Sequence, residues 1–322
     1  MPWWAYVIIG VLAFLIVGII AAFAVAYTWT FKTKKRKRCD KAEDYSLPNM
    51  AMATPYVDEL HRWIRLAFET PHTDVEIKSF DGLTLRGKYY EYEKGAPVEI
   101  VIHGYRSEGV RDMSAAIERC FSIKHSLLLI DQRGCGSSDG NLITFGIFER
   151  YDCLRWIDFL IEYLGSDVEI ILCGVSMGAA TVLMASGHDL PRNVKYALAD
   201  CGYSDNPSII KRVVRKMRLP VSIFYPIIKA SAKLFGGFEL ESCSPIEAVK
   251  NAKIPIIFIH GTGDNFVPCE MSHRVYEACA SPLKELVEIE GAGHGVAYPA
   301  DKEKYVKALE SFICEIKEKS LW

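Results

Sequence analysis

A serine stands between two glycines at position 176, in the stretch GVSMG, after an apolar run and before a segment of small residues. A strand that enters such a turn and a helix that leaves it expose the serine hydroxyl above the end of a sheet. Gly174 and Gly178 allow the close backbone approach that this turn needs. The free N–H groups at the start of the helix favour negative charge near the hydroxyl. The pattern predicts that Ser176 is a nucleophile.

A serine nucleophile needs a general base, and the base needs a carboxylate that orients it. Only His294 lies in a glycine-rich loop after a late apolar run, in EGAGHGVAYP, so we expect it to be the base. His103 and His260 end apolar runs in IHG contexts, and we expect their rings to be buried and hydrogen-bonded. Asp264, in GTGDNFVP, lies between the serine and the base in the usual chain order of such a triad. Asp200, which ends the YALAD run, stays open as the alternative carboxylate.

The oxyanion that forms during acyl transfer needs two backbone donors. The N–H of Met177, the residue after the nucleophile, is expected to be the first. The second is expected from the loop after the apolar run EIVIHGY, namely the N–H of Tyr105. Gly104 would let that loop approach the substrate.

The rest of the chain must position these residues. From about residue 74, continuous apolar runs alternate with amphipathic segments, which predicts a mostly parallel sheet covered by helices on both faces. A hairpin that turns at Asp81-Gly82 precedes them, and an amphipathic helix with Tyr56, Leu60, Ile64 and Phe68 on one side covers an edge. The segment 206–250 interrupts the alternation with about two helices. Such an insertion lies above the carboxyl ends of the strands, so we interpret it as a lid.

These motifs together resemble the α/β-hydrolase fold from about residue 74 to the C-terminus. The matching stretches are HGY (103–105), DQRGCGSSDG (131–140), GVSMG (174–178), HGTGDNFVP (260–268) and GAGHG (291–295). The resemblance implies a serine hydrolase that acts through an acyl-enzyme, with Ser176, Asp264 and His294 as triad and Tyr105 and Met177 as oxyanion donors. The chain is most similar to the membrane-anchored abhydrolase-domain branch, which also resembles serine aminopeptidases and bile-acid-type acyltransferases. It lacks the HGGG loop of some lipases, which speaks against tertiary-alcohol esters.

The thirty residues from Pro2 to Phe31 carry no charge and are long enough to cross a bilayer as a helix. Aromatic residues lie near both ends of this segment, as is typical of membrane spans. The basic run KTKKRKR (32–38) follows, which predicts that the large domain faces the cytoplasm. A cleaved signal peptide is the alternative, since AVA (24–26) is cleavage-like. We therefore expect an anchor over 1–31, a basic linker over 32–49 and a hydrolase domain over 50–322.

The distribution of charge and of cysteines limits the kinds of molecule that the protein is expected to bind. Six of the 38 Lys and Arg residues lie in the basic run and no acid precedes it, so the rest of the chain is acidic. The basic run favours anionic lipid headgroups, and the acidic body excludes nucleic acid as the main partner. The ten cysteines are scattered singly, which is typical of reduced thiols. No metal or cofactor motif occurs, and Asp139 stands where a dinucleotide-binding loop needs its third glycine. Nothing in the sequence indicates an oligomeric state.

The predicted lid carries two further features. Basic residues alternate with apolar ones, which fits either a helix that lies on an anionic membrane or a lid helix with solvated charges; they are Lys211, Arg212, Arg215, Lys216 and Arg218. Three acids would suit the amine of a peptide substrate, and they keep an aminopeptidase open as the alternative enzyme; they are Glu239, Glu241 and Glu247. The leading hypothesis is a membrane-anchored hydrolase of carboxylic esters or thioesters, including acyl lipids. A non-catalytic scaffold of the same fold is the other class.

Overall fold

The computed structural model describes residues 1–34, 41–42 and 53–322. Most of the predicted linker 32–49, including the basic run from residue 35 onward, lies outside the described residues. The same holds for Cys39 and for the first residues of the predicted hydrolase domain.

Eight strands form one sheet in the order β1-β2-β4-β3-β5-β6-β7-β8. Strand β2 pairs antiparallel with both β1 and β4, and all the other strand pairs of the sheet are parallel. This confirms the hairpin at Asp81-Gly82 and the mostly parallel sheet. The strands are β1 Thr73–Lys78, β2 Thr84–Tyr90, β3 Val98–Ile102, β4 Ser126–Asp131, β5 Ile170–Val175, β6 Val194–Asp200, β7 Ile256–Gly261 and β8 Lys284–Ile289.

Twelve α-helices connect and cover the strands within the described residues. They are α1 Trp3–Phe31, α2 Val57–Glu69, α3 Gly109–Met113, α4 Ala115–Ser122, α5 Glu149–Leu164, α6 Met177–Ala185, α7 Asn206–Lys216, α8 Val221–Gly236, α9 Pro245–Ala248, α10 Glu270–Ala278, α11 Ala297–Ala300 and α12 Lys302–Glu318. The segment DMSAAIERCFSIKH does not form one continuous helix, because it divides at Ser114 between α3 and α4. There the Ile117 N–H bonds to the carbonyl three residues back, which is the tighter 3₁₀ pattern.

Side chains of the central strands alternate between two cores, as the pleat of a sheet requires. On one face, Val101 and Leu198 pack with Trp63 of α2 and Phe312 of α12. On the other face, Ile100 and Leu172 pack with α5, whose Trp156 is fully buried. The two-sided burial explains why the strands read as continuous apolar runs rather than alternating ones.

A buried ion cluster joins β3 to α4. Glu99 is fully buried and accepts from Arg119 Nη2 at 2.6 Å, and its other oxygen lies 2.9 Å from Nδ1 of His125. Burial would raise the pKa of Glu99, but the charge of Arg119 and the contact with His125 outweigh it and lower the pKa to about 2. The carboxylate is therefore ionised throughout the ordinary pH range.

Helix α1 is long and apolar enough to cross a membrane, by its length and composition. Its first twenty residues are almost all exposed, whereas its last turns pack against α8 and end at the fully buried Phe31. The ring of Phe31 contacts Phe145 and Phe238 edge to face, at centroid distances of 5.9 and 5.3 Å. The chain then pairs with a loop, where Thr33 N donates to Asn141 O at 2.9 Å. The last part of α1 thus belongs to a third core, which α7 and α8 complete.

Candidate active site

Ser176 occupies the sharp turn between β5 and α6. Its backbone angles are φ 58° and ψ −115°, a conformation that residues other than glycine rarely adopt. The Ser176 N–H donates to the Asp200 carbonyl at 2.8 Å, which fixes the turn against the end of β6. Strain of this kind persists only where the surroundings enforce it, and it concentrates at functional sites.

The two flanking glycines are required by close backbone contacts. A Cβ atom on Gly174 would lie 2.2 Å from the carbonyl carbon of Gly178, so the strand and the helix touch at this point. A Cβ atom on Gly178 would lie 2.0 Å from the Ile102 carbonyl oxygen at the end of β3. Any larger residue would push α6 away from the sheet.

The structure brings Ser176, His294 and Asp264 together from three separate loops. Nε2 of His294 lies 2.9 Å from the Ser176 hydroxyl oxygen, and Nδ1 lies 2.6 Å from Oδ2 of Asp264. His294 sits between β8 and α11, and its ring contacts Phe266 at a centroid distance of 5.1 Å. With the proton on Nδ1, the imidazole can accept a proton from the serine at Nε2.

The Asp264 carboxylate is held by several donors. Its Oδ1 accepts from the N–H groups of Phe266 and Val267, both at 2.8 Å. Its Oδ2 also lies 3.3 Å from Nε2 of His260. Burial would raise the pKa of Asp264, but the hydrogen bonds from His260 and His294 and the backbone donation outweigh it and hold the pKa well below its ordinary value. The Asp264 carboxylate is therefore ionised throughout the ordinary pH range.

Both histidines that were expected to be satisfied are buried and hydrogen-bonded. Nε2 of His103 accepts from Gln132 N at 3.0 Å, and burial lowers the pKa of this ring. His260 contacts the hydroxyl of Ser272 through Nδ1 at 2.6 Å. The contact of His260 with Asp264 escaped the sequence analysis, although the four-residue spacing at a strand end was a signal that could have found it.

The side chain of Asp200 is hydrogen-bonded to α12. Its Oδ2 accepts from the Tyr305 hydroxyl at 3.0 Å, and burial raises the pKa of this carboxyl. In the structure, His294 pairs with Asp264 rather than with Asp200.

The predicted oxyanion donors lie beside the serine. A Cβ atom on Gly104 would lie 3.5 Å from the Ser176 Cβ, so the loop after β3 runs directly along the serine. Within the described part of the chain, neither the N–H of Tyr105 nor that of Met177 donates to another protein group. Both donors are available to a ligand, and Met177 adds the positive end of the α6 dipole.

The same loop also binds the end of α1, which the sequence did not indicate. The Tyr105 hydroxyl donates to the Thr30 carbonyl at 2.7 Å, and its ring stacks on Phe145. The guanidinium of Arg106 donates to the carbonyls of Trp29 and Lys32, at 2.6 and 2.7 Å. These bonds satisfy carbonyls that the end of a helix leaves without partners.

A cavity of about 550 Å³ opens above Ser176. This volume falls in the range of ordinary ligand pockets, about 300–1,000 Å³. Its walls come from α1, α7, α8 and the loops around the serine, and none of the lining residues among those that the structure describes is charged. The tyrosine hydroxyls in the wall are occupied, since Tyr105 bonds to Thr30 and Tyr203 donates to the Phe145 carbonyl at 3.0 Å. The space is suited to an uncharged, apolar group.

Several charged side chains of the predicted lid form hydrogen bonds or ion pairs with the protein. Arg212 and Lys216 donate to carbonyls of Asn265 and Phe266, at distances of 2.5–2.9 Å, and so brace the loop that carries Asp264. The three acids suggested for a peptide amine form ion pairs outside the cavity; the pairs are Glu239–Lys233, Glu241–Lys229 and Glu247–Lys250.

Two groups of side chains among the described residues have metal-ligand atoms within 4.8 Å of one another. The first consists of Cys201, Asp264 and His294, in which His294 is hydrogen-bonded both to Asp264 and to Ser176. The second lies near the surface, where Glu288 bonds to His273 at 2.7 Å and lies 3.5 Å from the Cys269 sulfur. In both groups the histidine and carboxylate ligand atoms are engaged in hydrogen bonds within the protein.

Comparison with known proteins shows the family and the fold. The model of the alpha/beta hydrolase family matches residues 100–308. The uncharacterized protein YqkD of Bacillus subtilis is 26% identical over 74% of this chain and 77% of its own length. The mitochondrial palmitoyl-protein thioesterase ABHD10 of Rattus norvegicus is 26% identical over 70% of this chain and 78% of its own. The Pyrococcus furiosus esterase Pf2001 superimposes with a TM-score of 0.64 at 21% identity, over 88% of this chain and 99% of its own, which shows the fold.

Proposed function

We propose that this chain, which belongs to the alpha/beta hydrolase family, is a membrane-anchored serine hydrolase that cleaves carboxylic esters or thioesters through an acyl-enzyme on Ser176. The observation that carries the proposal is the chain of contacts from Ser176 through His294 to Asp264, at 2.9 and 2.6 Å, on a strained turn at the start of a helix. Relatives that include a thioesterase support the hydrolase class.

In the proposed mechanism, the Ser176 oxygen attacks the acyl carbonyl while Nε2 of His294 takes its proton. Asp264 holds the imidazole in the required tautomer and stabilises the imidazolium. The N–H groups of Met177 and Tyr105 bind the oxyanion. His294 then gives the proton to the departing alcohol or thiol, which leaves the acyl group on Ser176. A water molecule repeats the sequence on the acyl-enzyme, with the same histidine first as base and then as acid, and releases the carboxylic acid.

The lining of the cavity favours an acyl substrate over a peptide. A substrate amine would need a carboxylate near the serine, and the three candidate acids of the insertion are paired with lysines elsewhere. An uncharged wall instead suits a hydrocarbon chain. These contacts disfavour the aminopeptidase alternative.

Anchoring is supported by the position of α1. The cleavage-like stretch 24–26 lies within the part of the helix that packs on the domain, and Ala26 itself lines the cavity. Removal of α1 at that point would take away part of the cavity wall, which argues for retention over a signal peptide. The basic residues after α1 favour the cytoplasmic side for the domain.

A fluorophosphonate probe tests the proposal on the full-length chain in detergent. We expect the wild type to be labelled and Ser176→Ala not to be. We also expect the wild type to hydrolyse p-nitrophenyl esters and to leave an aminoacyl anilide intact. Absence of labelling in correctly folded wild type would leave the non-catalytic scaffold, and turnover of the anilide alone would favour the peptidase.

A further inference from the structure

Helix α1 contributes a wall of the cavity above Ser176. Six of its residues line this space, and they recur at intervals of one helical turn along one side of the helix; they are Ala21, Ala22, Val25, Ala26, Trp29 and Thr30. At a rise of 1.5 Å per residue, this stretch runs along the cavity for about 14 Å. The segment read from the sequence as an anchor is thus also part of the binding site.

The part of α1 that lines the cavity is distinct from the part that stands free. The preceding helical residues, from Trp3 to Ile20, are nearly all exposed and span about 27 Å, close to the hydrocarbon thickness of a bilayer. The cavity begins directly after this stretch, at Ala21. If the exposed stretch lies in lipid, the cavity meets the membrane at its surface.

The mouth of the cavity lies beside α1 and is apolar. Several residues line the cavity and are also exposed on the surface, including Val25 at 56%, Trp29 at 67% and Met217 at 48%. Helix α8 carries two more exposed apolar side chains, Leu234 and Phe235, and the Phe235 ring contacts Tyr27 of α1 at 5.7 Å. Exposure of such an apolar surface to water is unfavourable, whereas contact with lipid hydrocarbon is not.

The wall is held firmly against the loop that carries an oxyanion donor. Tyr105 and Arg106 bind the last carbonyls of α1, and Phe31 is fully buried behind them. The position of the wall is therefore coupled to the reacting end of the cavity by direct hydrogen bonds. A loosely tethered anchor would show none of these contacts.

We propose that α1 forms one side of the acyl-binding pocket, that long-chain acyl esters enter this pocket sideways from the lipid, and that the small residues of α1 set the chain length accepted. The inference rests on the proposed function, since it assigns the substrate class of the Ser176 site. Ala22 and Ala26 are the residues whose small size leaves room for the chain.

The first experiment measures chain-length selectivity of the full-length chain in lipid nanodiscs with p-nitrophenyl esters of four to sixteen carbons. Each methylene kept out of an apolar pocket lowers kcat/KM by a factor of about four. Ala26→Phe, which fills space equal to about three methylenes, should lower the ratio of long-chain to butyrate kcat/KM by about 60-fold. Ala22→Phe should act in the same direction. Thr28→Phe is the matched control, because Thr28 is exposed at the same level of α1 and lies outside the cavity lining.

The possible outcomes distinguish a failure of the proposed role of α1 from a failure of the proposed hydrolase function. Fluorophosphonate labelling of the wild type with an unchanged selectivity ratio in both alanine variants would overturn the role of α1 and leave the hydrolase intact. Absence of labelling in the wild type would instead overturn the proposed function. If a phenylalanine variant loses butyrate turnover as well, Ala22→Leu and Ala26→Leu carry the same comparison with less added volume.

The second experiment tests entry from the lipid. Nanodiscs that contain the enzyme and a long-chain ester are diluted with buffer at a constant ratio of ester to lipid. The rate per enzyme should stay constant, because the concentration of ester within the disc does not change. A rate that falls in proportion to the bulk ester concentration would overturn sideways entry.

Discussion

Replacement of Asp264 by asparagine would break one specific pairing. Oδ1 of Asp264 accepts two backbone N–H groups, so the asparagine oxygen must take that place and the amide NH₂ must replace Oδ2. The NH₂ group then faces Nδ1 of His294, where the present distance is 2.6 Å, and Nε2 of His260, where it is 3.3 Å. Because two donors repel, the His294 proton moves to Nε2. The imidazole can then no longer accept the proton of Ser176.

The magnitude follows from this change of tautomer. In serine proteases the corresponding replacement lowers kcat by about 10⁴ while the geometry persists. At about 1.36 kcal/mol for each factor of ten, this is a loss of about 5.4 kcal/mol of transition-state stabilisation. We expect kcat for p-nitrophenyl butyrate to fall by about 10⁴ and fluorophosphonate labelling to slow in parallel. The thermal unfolding temperature should change little, because both contacts of Oδ1 persist.

Asp200→Asn is the matched control. Burial already raises the pKa of Asp200, so loss of its charge costs little, and the amide oxygen can still accept from Tyr305. We expect turnover within about tenfold of wild type, since at most one hydrogen bond of about 1 kcal/mol is weakened. The assignment of Asp264 would be refuted if Asp264→Asn kept more than a tenth of the activity. A loss in Asp200→Asn as large as that in Asp264→Asn would refute it equally.

Two further predictions concern the scaffold. The pKa of Glu99 is lowered from an ordinary 4.5 to about 2, so its stabilising contribution is complete above about pH 4.5 and is lost as the pH falls towards 2. Glu99→Gln, which leaves Arg119 buried without its partner, should lower the free energy of unfolding in urea by about 3–5 kcal/mol at pH 7 and by less at pH 3; an equal loss at both values would contradict this. Gly178→Ala should abolish soluble, folded protein, because its Cβ would lie 2.0 Å from the Ile102 oxygen. Gly82→Ala, with open space but a positive φ, should fold with a loss of about 1–2 kcal/mol, measured by the same urea titration.

The strands of the sheet could be predicted because their burial leaves a direct trace in the sequence. Strands buried on both faces must be apolar at every position, and the runs around Ile100, Leu172 and Phe258 have this property. The turn at Ser176 could also be predicted from the sequence. Its strained backbone and the close backbone contacts on either side require glycine at both flanking positions, which gives a recognisable motif. The prediction of the fold was therefore confirmed.

The position of α1 could not be predicted, because an apolar helix reads the same whether it faces lipid or protein. Nothing in the residues around Phe31 distinguishes a side chain in a core from one in a bilayer. The bonds from Tyr105 and Arg106 to main-chain carbonyls also leave no trace, since any residue offers the same carbonyl. The sequence therefore indicates two separate units, a helical anchor and a domain, whereas in the structure the end of α1 packs on the domain.

The basic residues of α7 illustrate a related limit. Their spacing indicated an amphipathic helix, and Ile209, Ile210 and Val214 are indeed buried. Whether the polar face meets water, lipid or protein depends on what lies opposite. Here Arg212 and Lys216 meet the loop after β7, which is distant in the sequence.

The burial of Phe31 has a consequence for the order in which the protein matures. Phe31 is synthesised early, but the rings that enclose it, Phe145 and Phe238, follow more than a hundred residues later. Because domains form from the N-terminus during synthesis, α1 is in place before the rest of the chain can fold against it. The third core then closes late, around a helix that is already positioned. Chains shortened to begin after α1 would leave Phe145 and Phe238 uncovered, and we expect them to aggregate during expression rather than to yield a simplified enzyme.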